Sequence, residues 1–169
     1  MEKRLEYGLI GAKLRHSFSP EIHARIGHYP YELLELSPDG VRQLLEERRF
    51  CGLNVTIPYK ELVIPLLDEV SERAQKIGAV NTIVNRNGLL YGDNTDYSGA
   101  AALIRHAGVE IAGRKVLILG TGGTSKTLRA VTQDLGAREI VCVSRHGGEG
   151  LCTYEEVSRL HPDAQVIVN

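Results

Sequence analysis

The 169-residue chain has no tryptophan, two phenylalanines and one methionine, so any core it builds rests on aliphatic side chains. Cysteine is almost as scarce. Cys51, Cys142 and Cys152 are an odd number without a Cys-x-x-Cys pair, which supports neither a disulfide framework nor a zinc site and points to reduced thiols. No apolar run approaches the roughly 18 residues that a bilayer-spanning helix needs. The opening MEKRLEYGLIGAKLRHS carries charges with no sustained apolar stretch behind them, unlike a signal peptide. Excess charge is missing too: 20 Lys and Arg against 21 Asp and Glu leave a net charge of −1. That balance argues against a nucleic-acid or anionic-membrane binder acting through bulk charge. The expectation is a cytoplasmic globular protein with a small-molecule partner, and the sequence does not choose between monomer and homodimer.

What the chain does have is glycine, 18 residues of it, and short apolar runs that alternate with helical patterns. Strands are expected at Tyr7–Gly11, Tyr31–Leu36, Gly52–Ile57, Ala79–Asn85, Leu89–Tyr91, Lys115–Leu119, Glu139–Val143 and Gln165–Val168. Helices are expected at Pro20–Gly27, Pro38–Arg48, Pro58–Leu67, Asp96–Ala107 and Gly123–Leu135, three of them opening on the proline that a first helical turn tolerates. Such alternation predicts an α/β fold with mainly parallel sheets. The stretch AGVEIAG suggests a boundary, giving domains of residues 1–110 and 111–169.

The segment KVLILGTGGTSKTLRAVTQDLGAREIVCVSR reads as strand, glycine loop, helix and second strand. Gly120 suits the sharp turn, and Gly122 lets a pyrophosphate approach the backbone. Thr121, Gly123, Thr124 and Ser125 lead into a helix whose N-terminus attracts an anion. Ser125 stands where the usual third glycine would be. The second strand ends in Ser144, Arg145 and His146, where NAD-binding folds usually carry an acidic residue for the ribose 2′-OH. Arg145 suits a 2′-phosphate instead, so NADP(H) is favoured over NAD(H); a solvated loop arginine is the plainer alternative. His146 is either a second donor to that phosphate or simply exposed.

Four earlier segments carry chemistry. In RHSFSPEIH, Ser17 and Ser19 either bind a substrate carboxylate beside a helix N-terminus or, for Ser19, cap that helix. In GLNVTIPYK, Asn54 and Thr56 share one strand face and Lys60 falls on the first turn of the expected helix. A positive helix end would push the lysine pKa down, suiting proton transfer; an ordinary exposed lysine is the alternative. GAVNTIV holds Asn81, and GDNTDYSG holds Asn94 and Asp96, either site residues or helix caps.

Taken together, HSFSP, NVTIPYK, GAVNTIV, GDNTD and GTGGTS, in this order, resemble the shikimate dehydrogenase family over essentially the whole chain. The resemblance implies a substrate domain followed by part of a Rossmann-type dinucleotide-binding domain. It also implies NADP-linked, reversible reduction of 3-dehydroshikimate to shikimate in aromatic amino acid (chorismate) biosynthesis. By the same match, Ser17 and Ser19 would hold the substrate carboxylate, and Asn54, Thr56, Asn81 and Asp96 the ring hydroxyls. Lys60 with Asp96 would form the catalytic pair. Two features depart from the family: Ser144-Arg145-His146 replaces its usual Asn-Arg-Thr, and the chain stops at QVIVN, expected to be the third nucleotide-domain strand. The family's nicotinamide-binding half would follow, so these 169 residues alone are expected to be inactive. An NAD-preferring quinate/shikimate dehydrogenase and a non-catalytic shikimate-binding module are the alternatives.

Overall fold

The computed structural model describes residues 5–169. In chain order the elements are β1 (Tyr7–Gly11), α1 (Ser19–Ile26), β2 (Tyr31–Glu35), α2 (Pro38–Glu47), β3 (Gly52–Val55), β4 (Glu69–Val70), α3 (Glu72–Ile77), β5 (Thr82–Arg86), β6 (Leu89–Asp93) and α4 (Asp96–His106). There follow β7 (Lys115–Leu119), α5 (Gly123–Asp134), β8 (Glu139–Ser144), β9 (Leu151–Thr153), α6 (Val157–Leu160) and β10 (Val166–Val168). They form two compact units, Met1–Asn94 and Thr95–Asn169.

The first unit is built on a six-stranded sheet in the order β2-β1-β3-β5-β6-β4. The expected parallel pairing holds for β1 with β2, β1 with β3 and β4 with β6, but β5 and β6 form an antiparallel hairpin and β5 runs antiparallel to β3. The sheet is therefore mixed. The hairpin turns at Asn87 and Gly88, both at positive φ, the conformation Asn and Gly accept most readily. One sheet face sends Ile10, Leu53, Val55 and Ile83 into a core shared with Phe50, Val63, Val80 and Leu90. Helix α2 adds Val41 and Leu45, one turn apart; Pro38 occupies its first turn, and the Ser37 hydroxyl caps it by accepting from Gly40 N–H at 3.2 Å.

The expected helix over Pro58–Leu67 does not form. Residues 57–63 make turns, and only a 3₁₀ turn at Ile64–Leu66 follows. Pro65 lies inside the expected span, where it removes a backbone donor and disfavours α conformation at Ile64. The segment still packs Tyr59 and Val63 into the core, beside Ala74 of helix α3, which Ser71 caps at the Ala74 N–H and Gly78 ends at φ 71°.

The second unit has a four-stranded, all-parallel sheet in the order β10-β7-β8-β9. Numbered from β7, this is the 3-2-1-4 order of nucleotide-binding α/β folds, with the chain crossing over between β9 and β10. The strand in QVIVN is accordingly the fourth and not the third; the short β9 takes the third place. Val116, Ile118 and Ile111 form the core here, with Ile104 of α4 and Leu128 of α5 packed against them. At the opposite end of β7 from the glycine loop, the Lys115 ammonium, 8% exposed, reaches Glu139 at 3.0 Å and Asp163 at 2.8 Å. It thereby ties together the entry ends of β7, β8 and β10.

These contacts set a pH window. The hydrogen bond from Lys115 holds the Asp163 carboxyl below its ordinary 3.8, and the bonds to Asp163 and Glu139 hold the Lys115 ammonium above its ordinary 10.5. The carboxylate's contribution to stability is present above 3.8 and lost as pH falls through its lower folded value; the ammonium's is present below 10.5 and lost as pH rises through its higher one. Lys115→Met is expected to lower the urea midpoint between those limits, with the gap to wild type closing in stronger acid or alkali. Urea titrations at pH 3, 7 and 11 measure it.

Candidate active site

The chemistry-bearing face of the first unit lies opposite its apolar core. In β3, Leu53 and Val55 point into the core, which leaves Asn54 on the other face, half-buried. In-register parallel pairing sets Tyr31 level with Tyr7 and Gly52, one two-residue step below Asn54, so Tyr31 and Asn54 share that face. Antiparallel pairing places Thr82 directly opposite Asn54. The Tyr31 hydroxyl donates to Asn54 Oδ1 at 2.8 Å, Asn54 Nδ2 lies 3.5 Å from Thr82 Oγ1, and Thr82 Oγ1 donates to Asn81 Oδ1 at 3.0 Å.

Ser17 and Ser19 enter the same network. Ser17 Oγ donates to Ser19 Oγ at 3.1 Å and accepts from Ser19 N–H at 3.2 Å. Ser19 is hydrogen-bonded in turn to the Tyr31 phenol. Helix α1 starts at Ser19 with Phe18 in the N-cap position and no side-chain cap, so Ser19 does not cap it, and Ser17 meets the helix start only by accepting from the Ser19 N–H. The turn carrying Ser17 is anchored by Leu14, whose N–H donates to Glu35 Oε1 at 2.7 Å. Gly11 permits this close packing: a β-carbon there would come within 2.5 Å of the Leu14 side chain and 2.8 Å of the Thr56 methyl.

Thr56 follows β3 directly, its N–H donating to Ile10 carbonyl at 3.0 Å. The Lys60 carbonyl accepts from Val80 N–H at 2.8 Å, and the Asn81 carbonyl accepts from Val55 N–H at 2.8 Å. Lys60 thus sits on a turn bonded to the segment that presents Asn81. No α-helix begins there, so the positive helix end expected to act on Lys60 is not formed. Asn94 is fully buried and donates from Nδ2 to the Ala79 carbonyl at 2.9 Å, a tie within the first unit and not a helix cap. Its Oδ1 has no hydrogen-bond partner. Asp96 is the first residue of α4, in the second unit.

In the second unit the glycine loop leaves the C-terminal end of β7. Gly120, at φ 110°, makes the turn that only glycine adopts without strain, and its N–H donates to the Val143 carbonyl at 2.9 Å. Gly122 precedes α5 and supplies no side-chain cap; its carbonyl accepts from the Ser125 N–H at 3.0 Å, and the helix N-terminus ahead of Ser125 is the end that attracts an anion. Ser125 folds back, its hydroxyl donating to the Gly122 carbonyl at 2.6 Å. Because Leu119 pairs with Val143, residues Ser144, Arg145 and His146 leave the same edge of the sheet as the loop. Ser144 Oγ accepts from His146 N–H at 3.4 Å, and Arg145 and His146 are exposed. An uncapped helix N-terminus, an open glycine turn and a nearby exposed arginine fit a dinucleotide carrying a 2′-phosphate.

Two members of the front network, Tyr31 and Thr82, are not among the sequence-derived candidates. Their signal was in the pairing: Tyr31 becomes a neighbour of Asn54 through strand register, and Thr82 through the antiparallel pairing of β5 with β3. Among the described residues no cluster of His, Cys, Asp and Glu has metal-binding geometry, and no helix is long and apolar enough to cross a membrane.

Comparison with known proteins bears on both units. The shikimate dehydrogenase substrate binding domain matches residues 9–83. Shikimate dehydrogenase (NADP(+)) of Halothermothrix orenii is 46% identical over 147 residues, 82% of this chain and 51% of that protein. The crystal structure of shikimate 5-dehydrogenase from Thermus thermophilus in complex with NADP(H) and shikimate gives a TM-score of 0.82 at 32% identity, covering 98% of this chain and 67% of that one. Quinate dehydrogenase from Corynebacterium glutamicum in complex with NAD gives 0.82 at 28%, covering 98% and 70%. Fold and site define the class, an α/β protein with a dinucleotide-binding type of second unit. More narrowly, the chain belongs to the shikimate dehydrogenase family. It spans about half the length of the curated relatives it matches.

Gly120→Ala isolates the backbone contribution at the loop. A β-carbon there meets nothing within 4 Å, so the substitution acts through φ alone. The expected loss is about 1–3 kcal/mol of unfolding free energy, read from urea titration.

Proposed function

We propose that this chain carries the substrate site and the phosphate-binding loop of an NADP-linked dehydrogenase that reversibly reduces 3-dehydroshikimate to shikimate, a step of aromatic amino acid biosynthesis. The observation that supports it most is the hydrogen-bonded run Ser17–Ser19–Tyr31–Asn54–Thr82–Asn81, in which Tyr31, Asn54 and Thr82 come from strands β2, β3 and β5 of one sheet. A cyclic polyhydroxy acid needs one anion site and several directional polar groups, and this run supplies serine hydroxyls at one end and amides at the other.

In this reading residues 1–110 serve the substrate and residues 111–169 begin the nucleotide-binding domain. Ser17 and Ser19 bind the carboxylate; Asn54, Thr56, Asn81 and Asp96 bind ring hydroxyls. Gly120, Thr121, Gly122, Gly123, Thr124 and Ser125 hold the pyrophosphate, while Ser144, Arg145 and His146 face the 2′-phosphate. NADPH, when bound, supplies the hydride to the carbonyl carbon. Lys60 gives a proton to the carbonyl oxygen during reduction and recovers it from the alcohol in the reverse direction. Asp96 is its proposed partner, accepting from a substrate hydroxyl and orienting the ammonium. The expected setting is cytoplasmic.

The relation to an NAD-bound quinate dehydrogenase supplies a second reading, NAD-linked oxidation of quinate. Calorimetric titration with shikimate, quinate, NADP⁺ and NAD⁺ separates the two. Shikimate and NADP⁺ are expected to bind more tightly than their counterparts, and the reverse order selects the second reading. Arg145→Ala is expected to weaken NADP⁺ about 10- to 100-fold while leaving NAD⁺ nearly unchanged. In turnover assays on the chain extended by a nicotinamide-binding half, Lys60→Ala is expected to lower kcat by about 10²-fold or more with little change in shikimate affinity; near-normal turnover removes Lys60 from the chemistry.

A further inference from the structure

Tyr31, half-buried, stands at the middle of the network that links Ser17 to Asn81, and both its ring and its hydroxyl are held. The His23 imidazole stacks on its ring at 3.8 Å between centroids and 14° between planes. His23 is itself held by the Tyr29 hydroxyl, 2.7 Å from Nδ1, and Tyr29 packs on Tyr7 at 4.9 Å. The ring therefore has little freedom to swing, and its hydroxyl lies between the hydroxyl of Ser19 and the amide oxygen of Asn54.

We propose that Tyr31 is a positioning residue for the substrate: it occupies Asn54 Oδ1 and so fixes that amide with its NH₂ as the group offered to a ring hydroxyl. The inference rests on the reading of the front unit as a shikimate site.

The reasoning is one of donors and acceptors. An asparagine amide free to rotate about its last bond presents either C=O or NH₂ to a ligand, and a hydroxyl accepts either. With Oδ1 turned to Tyr31 and one N–H directed along the line to Thr82, the amide is held one way round, and the second N–H is the donor it offers to the ligand. Burial pushes the Tyr31 phenol up to about 12, partly opposed by the Ser19 hydroxyl, so it stays a protonated donor through the neutral and mildly alkaline range.

The test is a set of calorimetric titrations with shikimate on the full chain, using wild type, Tyr31→Phe, Asn54→Ala, their double variant and Ser17→Ala. Thermal melts accompany them to show that each variant folds. Tyr31→Phe is expected to weaken shikimate about 5- to 20-fold, with the double variant no weaker than Asn54→Ala alone. Cyclohexene carboxylate, which keeps the anion and lacks the ring hydroxyls, is expected to bind wild type and Tyr31→Phe alike. A merely structural role for Tyr31 would weaken both ligands. Unchanged shikimate affinity in Tyr31→Phe, or losses that add in the double variant, overturns the proposal while Ser17→Ala still reports the site. If Ser17→Ala and Asn54→Ala both leave shikimate binding untouched, the reading of the front unit as a shikimate site fails and the proposal falls with it.

Discussion

Strand β3 is the constraint on which the front unit depends. It lies between a parallel neighbour, β1, and an antiparallel one, β5, so both of its edges are paired and its register is fixed from two sides. Its alternation then sorts residues without ambiguity: Leu53 and Val55 go to the core, and Asn54 goes to the polar face. A slip of one residue would exchange the two sets, burying an amide and exposing two apolar side chains. The site's geometry is in this sense a by-product of the hydrophobic core on the other side of the same strand.

The second unit solves a different problem with the same economy. Its sheet is parallel throughout, and its glycine loop and the Ser144–His146 segment leave adjacent strands at one end while Lys115 closes the other. Charge neutralisation at the entry ends and a backbone turn at the exit ends are physically separate. Residues at the exit end are free to serve a ligand because the strands are already tied together elsewhere.

Much of this was legible in the sequence. The bounds of β1 and β7 match the apolar runs that announce them, and helices α2 and α5 follow the proline and glycine signals at their starts. What misled was mostly local competition. Pro58 reads as a helix start, yet Pro65 seven residues later leaves no room for an α-helix. Short elements such as β4, α3 and β9 carry too few residues for periodicity to register. With β9 missed, QVIVN reads as the third strand of its sheet when it is the fourth, and spatial order was the other hidden quantity: a strand's position in the chain does not say which neighbour it will choose. The same limit concealed Tyr31, which lies 23 residues before Asn54 and is brought beside it only by pairing. The residues recognised by motif, Ser17, Ser19, Asn54 and Asn81, are joined by two that carry no motif signal, Tyr31 and Thr82.

Strand order in the second unit also bears on how it is made. The central strand β7 gains its second neighbour from residues 166–168, some 50 positions downstream of its own residues 116–118. During synthesis, β7 must wait with one flank uncovered until that distant stretch emerges. A pairing with so long a loop to close is intrinsically slow. The nascent rear unit is therefore the part of the polypeptide with most reason to meet a chaperone, and Ile118, wholly buried once the sheet is complete, is among the side chains that wait longest for cover.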